Sequence, residues 1–297
     1  MSGLLTCPVC GRPLTRDEKA WACKKGHSFD VASEGYVYLL PPNKKHSKDP
    51  GDTKQMVAAR RAFLEAGCYE PFRRRLCELA CEALTAVPAP AVLDAGCGEG
   101  WYTSALLDAL RAAGKEPEVC GFDISKFAVR AAAKRHKGIA FAVASAFSIP
   151  AAEASADLIV NVFAPIVPDE LRRVVKPGGF LLLAVPTPRH LYGMKELLYD
   201  APYENEYRDT AYPGFSLVRR EAVADTIELT SPALIEALFS MTPYYWKTPP
   251  EGCERLRRAS RNYGSHERQR AELWPAFCFL RKRGTGTSGL QGLCPGS

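Results

Sequence analysis

Val92-Leu93-Asp94-Ala95-Gly96-Cys97-Gly98-Glu99-Gly100-Trp101 decides how this chain is read. An apolar run with a buried-strand look ends in an acid, breaks into three alternate glycines and passes into a helix-like run, Tyr102 to Ala113. Glycine is needed where the backbone turns tightly and a ligand comes close, because a Cβ would occupy that space. Strand, glycine loop and helix in series hold a nucleoside cofactor at the carboxyl end of a parallel strand. Val119-Cys120-Gly121-Phe122-Asp123 then reads as a second strand ending in a carboxylate, where an acid can accept hydrogen bonds from ribose hydroxyls. The spacing is G-x-G-x-G, not the dinucleotide G-x-G-x-x-G, and bulky Trp101 follows at once. That favours S-adenosylmethionine (SAM) over NAD, with Asp94, Gly96, Gly98, Glu99, Gly100 and Asp123 as candidate cofactor contacts.

Downstream, helical and apolar runs alternate. Ser125 caps a helix to Arg135, Ile139–Ala144 reads as a third strand and Asp157–Phe163 as a fourth. A helix from Asp169 to Val175, the turn Lys176-Pro177-Gly178-Gly179 and a strand from Phe180 to Val185 follow. Strands apolar throughout and alternating with helices predict an α/β fold, a parallel sheet covered on both faces. Ligands in such sheets sit beyond the strand carboxyl ends, which here carry Asp94, Asp123, Ala146 with Phe147, and Asn161 with Phe163.

The chain has 297 residues, 46% hydrophobic and 24% charged, with a formal net charge of +6, so a polyanionic partner is permitted but not required. There is no signal-peptide-like opening and no apolar run long enough for a membrane span, so no membrane partner is expected. Most of the eleven cysteines are scattered singly, several in apolar runs, as in a reducing compartment. The reading is cytoplasmic.

The exceptions are Cys7, Cys10 and Cys23, which with His27 give C-x2-C-x12-C-x3-H. That spacing predicts a closed Cys3His shell for structural zinc, since four protein ligands leave no open position. A redox C-x-x-C would need a thioredoxin-like βαβ context, and none is present. Phe29–Ala32 and Gly35–Leu40 read as short strands of a zinc ribbon over residues 1–40. Residues 41–52 read as an exposed linker, 53–283 as the catalytic domain, and the glycine-rich end, 284–297, as disordered.

Within the catalytic domain, helices are expected around Met56–Leu64 and Leu76–Leu84, and Arg73-Arg74-Arg75 reads as a solvated face. Tyr203–Tyr212 reads as a loop or lid, Phe215–Val218 and Ala224–Leu229 as strands, and Ser231-Pro232 as a helix start. Tyr244-Tyr245-Trp246 could stack bases or pack on the core. Arg255, Arg257, Arg258, Arg261, Arg268 and Arg270 form either a phosphate-binding run or a solvated helix face, and Leu273–Leu280 reads as a final strand.

The Cys3His ribbon, Gly35–Leu40, Lys54–Arg61, Gly96–Gly100, Asn161-Val162-Phe163-Ala164-Pro165 and Pro188-Arg189-His190-Leu191 occur in series. Together they resemble the 23S rRNA (guanine-N1)-methyltransferase family of the RlmA type, over nearly all of residues 5–283. The resemblance implies a class I SAM-dependent methyltransferase (Rossmann-like) sheet, with a zinc ribbon that helps grip a 23S rRNA hairpin. It implies cofactor contacts at Tyr69, Gly100, Trp101, Asp123 and His190, and in some relatives macrolide resistance. It leaves open which guanine is modified and whether the protein is a homodimer.

Guanine N1 carries a proton at neutral pH that must leave before or during methyl transfer, so a carboxylate, histidine or amide nearby could assist. Asn161, Asp169 and Glu170 are the candidates near the fourth strand end. Asn161 reads equally as a positioner of the base or a partner of its own backbone, and Phe163 as a stacking platform or core. Two other readings stand beside this one: a methyltransferase of a small molecule or protein, and a non-catalytic RNA-binding module that retains a SAM pocket.

Overall fold

A computed structural model of the chain describes residues 3–44, 47, 49–206, 211–223, 225–261, 269–273 and 275–283. The tail expected at 284–297 lies outside them, as do Arg268 and the side chains of Arg261 and Arg270.

The elements run β1 (Leu14–Arg16), β2 (Ala20–Cys23), β3 (Ser28–Asp30), β4 (Val37–Tyr38), α1 (Lys54–Glu65), α2 (Glu70–Ala83), β5 (Ala91–Ala95), α3 (Trp101–Ala112) and β6 (Glu118–Asp123). Then come α4 (Lys126–Arg135), β7 (Ala140–Val143), β8 (Ala156–Val162), α5 (Pro168–Val174), β9 (Val175–Pro186) and α6 (Tyr192–Leu198). The last part holds β10 (Phe215–Ala222), β11 (Asp225–Leu229), α7 (Pro232–Ser240), α8 (Tyr244–Lys247), α9 (Pro250–Arg261), β12 (Gln269–Leu273) and β13 (Pro275–Lys282).

Eight strands form the main sheet in the order β10-β13-β9-β8-β5-β6-β7-β4. From β9 to β4 every pairing is parallel, and β13 runs antiparallel to both β9 and β10. The chain leaves β5 toward β6 and β7, then crosses back to β8 and β9. The order therefore reverses between β5 and β8, and a crevice opens beyond their carboxyl ends.

Side chains alternate across this sheet as the strand period requires. Val92, Val119, Leu158, Val160 and Leu182 face one core with α2, α3 and α4. Leu93, Phe122, Ala142, Ile159 and Leu181 face the other. The second face has an unexpected cover. No helix joins β7 to β8, and the face is closed partly by α5 and partly by Leu4, Leu5, Leu14 and Trp21 of the N-terminal module. Each buried leucine there contributes about 1.5–3 kcal/mol. Thr6 N–H donates to Pro150 O at 2.9 Å, and the Gly3 and Leu4 amides reach Glu118.

Ser28–Asp30 overlaps the strand expected at Phe29–Ala32, but Leu14–Arg16 and Ala20–Cys23, which build most of the β1-β2-β3 sheet, were not expected from sequence. Val37–Tyr38 joins the main sheet beside β7 instead of the ribbon sheet. Within the stretch read as a linker, Ser125 Oγ–H donates to Asp52 O at 2.7 Å, and a Cβ on Gly51 would stand 2.8 Å from Ile124 Cγ2. The expected turn at Lys176–Gly179 is a bulge inside β9, where the register shifts between Ala156 and Leu158 on β8. The strand expected over Leu273–Leu280 corresponds to β13, which enters the main sheet, whereas Leu273 itself ends β12, which pairs with β11 in a small separate sheet.

Candidate functional site

At the N-terminal cluster, two tight turns aim four donors at one point. Gly11 N–H closes on Cys7 O, and Gly26 N–H closes on Cys23 O. The Cys7 and Cys23 sulfurs lie 3.5 and 3.4 Å from His27 Nδ1, and the Cys10 and Cys23 sulfurs lie 3.7 Å apart. All four ligand atoms fall within 4.8 Å of one another. With Zn–S of about 2.3 Å and Zn–N of about 2.0–2.1 Å, a tetrahedron has edges of about 3.8 Å (S–S) and about 3.6 Å (S–N). The donor set fits zinc. Burial alone would raise the Cys23 thiol, but amides of Lys25 and His27 and hydrogen bonds from Cys10 and His27 bring it down to about 6, toward the thiolate a metal needs.

The crevice beyond β5 is a cavity of about 300 Å³. Its walls include Tyr69, Gly96, Gly98, Glu99, Trp101 and Asp123, all expected from sequence. The Gly96 and Cys97 amides both donate to Phe122 O at 2.9 Å, which locks the loop onto β6. The Asp123 carboxylate accepts Gly98 N–H at 3.0 Å and Ser125 N–H at 2.8 Å, which leaves a lone pair on each oxygen for a ligand hydroxyl. Burial nevertheless raises its pKa.

The glycines of the loop do different jobs. Gly98 faces open space. A Cβ on Gly96 would stand 2.3 Å from Ala164 Cβ, so the loop touches the turn after β8. Gly100 is tight on the core side instead: its Cβ would meet Phe141 and His136. Asp94 is 1% exposed and accepts Thr103 Oγ–H at 2.6 Å. Burial, with the nearby Asp123 charge, pushes it up to about 7. Of the expected cofactor contacts, Gly100, Asp94 and His190 do not line the cavity; Gly100 and Asp94 brace the loop from behind.

A wall of rings flanks the cavity. Phe163, with a positive φ of 53°, is stacked 5.8 Å from Phe72 and 5.5 Å from the His190 imidazole, yet remains 43% exposed. His190 is buried; loss of solvation, with the Lys195 charge, lowers it to about 4, so the ring is neutral at pH 7. Its loop is stapled by one side chain. Asn205 Nδ2 donates to Thr187 O (2.9 Å) and His190 O (3.1 Å), while Asn205 N–H donates to Pro188 O. The fully buried Lys195 ammonium donates to Asn205 Oδ1 at 2.7 Å and Tyr203 O at 2.8 Å, and so fixes which way that amide faces.

Two family models match the chain: an RlmA N-terminal zinc ribbon over residues 5–48 and a methyltransferase domain over residues 92–179. A 23S rRNA (guanine(748)-N(1))-methyltransferase from Streptomyces fradiae is 35% identical over 268 residues, 89% of this chain and 92% of the relative. The chain belongs to the 23S rRNA (guanine-N1)-methyltransferase family. Two further relatives carry the same family name provisionally. One, from Micromonospora griseorubida, is 35% identical over 83% of this chain and 88% of its own; the other, from Bacillus subtilis strain 168, is 28% identical over 84% and 89%. The fold is thus the class I methyltransferase sheet with an N-terminal zinc ribbon, and its cofactors are SAM and structural zinc.

Three candidates for assisting guanine deprotonation do not line this methyltransferase's cavity. Asp169 is exposed and pairs with Arg172. Glu170 is bound to Arg173 and accepts Ile149 N–H, beside the ribbon junction. Asn161 is 1% exposed, and its Nδ2 donates to Pro165 O at 3.2 Å, so it shapes the turn that carries Phe163. The cavity contacts missed from sequence include Asp52, Arg60, Tyr102, Ile124, Ala164 and Met241. Arg60 pairs with Asp52 and Arg61 with Glu99, so α1 closes the mouth. The one available signal was Lys54–Arg61 itself, which marked the family without showing which way each arginine would face.

Arg73-Arg74-Arg75, read as a solvated face, is solvated mainly at Arg74; Glu70, Glu78, Glu82 and Glu221 answer the run, and Arg73 also caps the Trp101 ring at 4.0 Å. In the C-terminal arginine run, Arg255 binds the carbonyls of Leu197 and Leu198 at the end of α6, and Arg257 and Arg258 pair with Glu254.

Proposed function

We propose that this chain transfers the methyl group of SAM to N1 of a guanine in an unpaired loop of 23S rRNA, in the cytoplasm. The observation that carries this reading is the 35% identity, spanning both modules, to an enzyme named for that reaction. SAM supplies a methyl on a positively charged sulfur, so the leaving group is already activated. The work left to the protein is alignment and exclusion of water. In this reading Asp123 holds the ribose hydroxyls, and Gly98 gives the backbone room to come close. Tyr69 and Trp101 wall the cofactor, and His190 braces the ring wall as an uncharged imidazole.

The exposed face of Phe163 is the platform for the target base, whose N1 edge is inaccessible inside a duplex. Cys7, Cys10, Cys23 and His27 hold the zinc, and the ribbon adds RNA contacts. Macrolide resistance belongs to the same reading, as the resemblance to relatives that confer it implies.

The test is incubation of the protein and SAM with unmodified 23S rRNA, followed by reverse transcription. N1-methylguanine blocks Watson–Crick pairing, so a new stop is expected at the position equivalent to guanine 748. Methyl transfer to small acceptors with no stop on rRNA would replace this reading with the metabolite one.

A further inference from the structure

A second cavity, a groove of about 540 Å³, lies between α1 and α4. Five cations line it: Lys54, Arg61, Arg130, Lys134 and Arg135. Its floor is apolar and includes Val57 and Phe127. Two of the three acids that answer these cations lie to the inside, and the third, Glu65, is exposed. Arg61 pairs with Glu99 at 2.7 Å, and the Glu99 side chain is only 4% exposed. Arg130 pairs with Glu34 at 2.7 Å, where the arginine is 54% exposed and the glutamate 10%. Arg135 pairs with Glu65. Among the described residues, exposed Lys54 and Lys134 have no carboxylate within ion-pair distance. The groove therefore presents uncompensated positive charge over an apolar floor.

Its two ends are also fixed. Glu99 lines the cofactor cavity, so Arg61 joins the groove to the reaction site; Arg60, the preceding residue, already faces that cavity. Glu34 lies in the turn just before β4, so Arg130 joins the other end to the N-terminal module, where Lys137 Nζ–H also donates to Glu34 O. A charged rim bound for phosphates and an apolar floor open to bases or riboses is the pattern of a single-stranded nucleic-acid track.

We propose that the α1–α4 groove is the track on which the RNA backbone runs between the zinc module and the reaction site. This rests on the rRNA reading above and adds the path, with Lys54 and Lys134 as phosphate contacts and Phe127 on the floor. Neither lysine lines the cofactor cavity.

The test compares full-length wild type, Lys54→Gln/Lys134→Gln and the charge-conserving Lys54→Arg/Lys134→Arg. Binding to an unmodified 23S rRNA transcript is titrated at several salt concentrations, with SAM affinity read separately by calorimetry. The Gln pair is expected to lose roughly tenfold in RNA affinity and to flatten the log–log salt slope by about two, one per lost phosphate contact. Its SAM affinity should be unchanged, and the Arg pair should keep both RNA affinity and slope. RNA affinity and slope retained in the Gln pair, while wild type still methylates rRNA, would overturn the track and leave the function standing. A Gln pair that binds RNA normally but changes its sedimentation would mark the groove as a protein-docking face, also against the proposal. Wild type that neither binds nor methylates rRNA would overturn both.

Discussion

Gly96 and Ala164 are in contact across the cofactor crevice: a methyl built on Gly96 would stand 2.3 Å from the Ala164 Cβ. The glycine loop after β5 and the turn after β8 thus position each other, although 68 residues separate them in the chain (164 − 96).

Gly96→Ala should push the loop off that turn and weaken SAM binding by at least tenfold by calorimetry. A cost of about 1–3 kcal/mol in stability is expected from overpacking and from the positive φ of 89°. Adding Ala164→Gly should restore part of the affinity, because it removes the clash but not the backbone strain. No recovery in the double variant would show that strain alone is responsible.

Asn205 is expected to matter through His190. Asn205→Ala leaves the buried Lys195 ammonium with Tyr203 O but without its Asn205 acceptor and frees the 187–190 loop, a loss of about 1–3 kcal/mol. Asn205→Asp keeps an acceptor for Lys195 but loses the two donations to Thr187 O and His190 O. It should fold well, measured by urea titration, and still lose most of its turnover. Wild-type turnover in Asn205→Asp would remove the positioning role.

Asp94 predicts a pH dependence with a definite sign. Burial raises it from the ordinary 3.8 to about 7, so the folded chain holds a proton there that the unfolded chain has released. Its favourable contribution is complete below about pH 4 and is lost as pH rises through about 7. Asp94→Asn should remove that component. The difference in unfolding free energy between wild type and variant, followed by urea titration, should decline from pH 4 to 7; a flat difference would contradict the assignment.

Replacing Cys7 and Cys10 by serine should abolish bound zinc by elemental analysis. The effect should not stay local, because Trp21 is 2% exposed in the same core cluster as Leu93 and Phe122. A red shift of tryptophan emission and a lower melting temperature are expected, and an unchanged melting temperature would show that the two modules fold independently.

The cofactor loop was legible because its information is local: an acid, alternating glycines and a second acid at the next strand end all read in register. The metal ligands were legible for the same reason. What escaped depends on distant pairings. Asp169 and Glu170 look free in sequence, but each has an arginine three residues on that takes its charge at the helix surface. Asn161 sits at a strand end as a substrate contact would, and only the fold shows Pro165 O as its acceptor. Lys195, in an unremarkable helical run, becomes fully buried because Tyr203 O and Asn205 come to it from a later segment.

The ribbon stands in for a missing crossover helix on one face of the sheet, and this sets an order on synthesis. Its leucines leave the ribosome well before Leu93, Phe122 and Ile159, the partners that will shelter them, exist. Until those later strands are made, the nascent module has only its metal to keep it shaped. Zinc supply during translation therefore bears on the yield of the whole enzyme, and a starved cell should accumulate insoluble full-length chains instead of a soluble enzyme lacking only its finger.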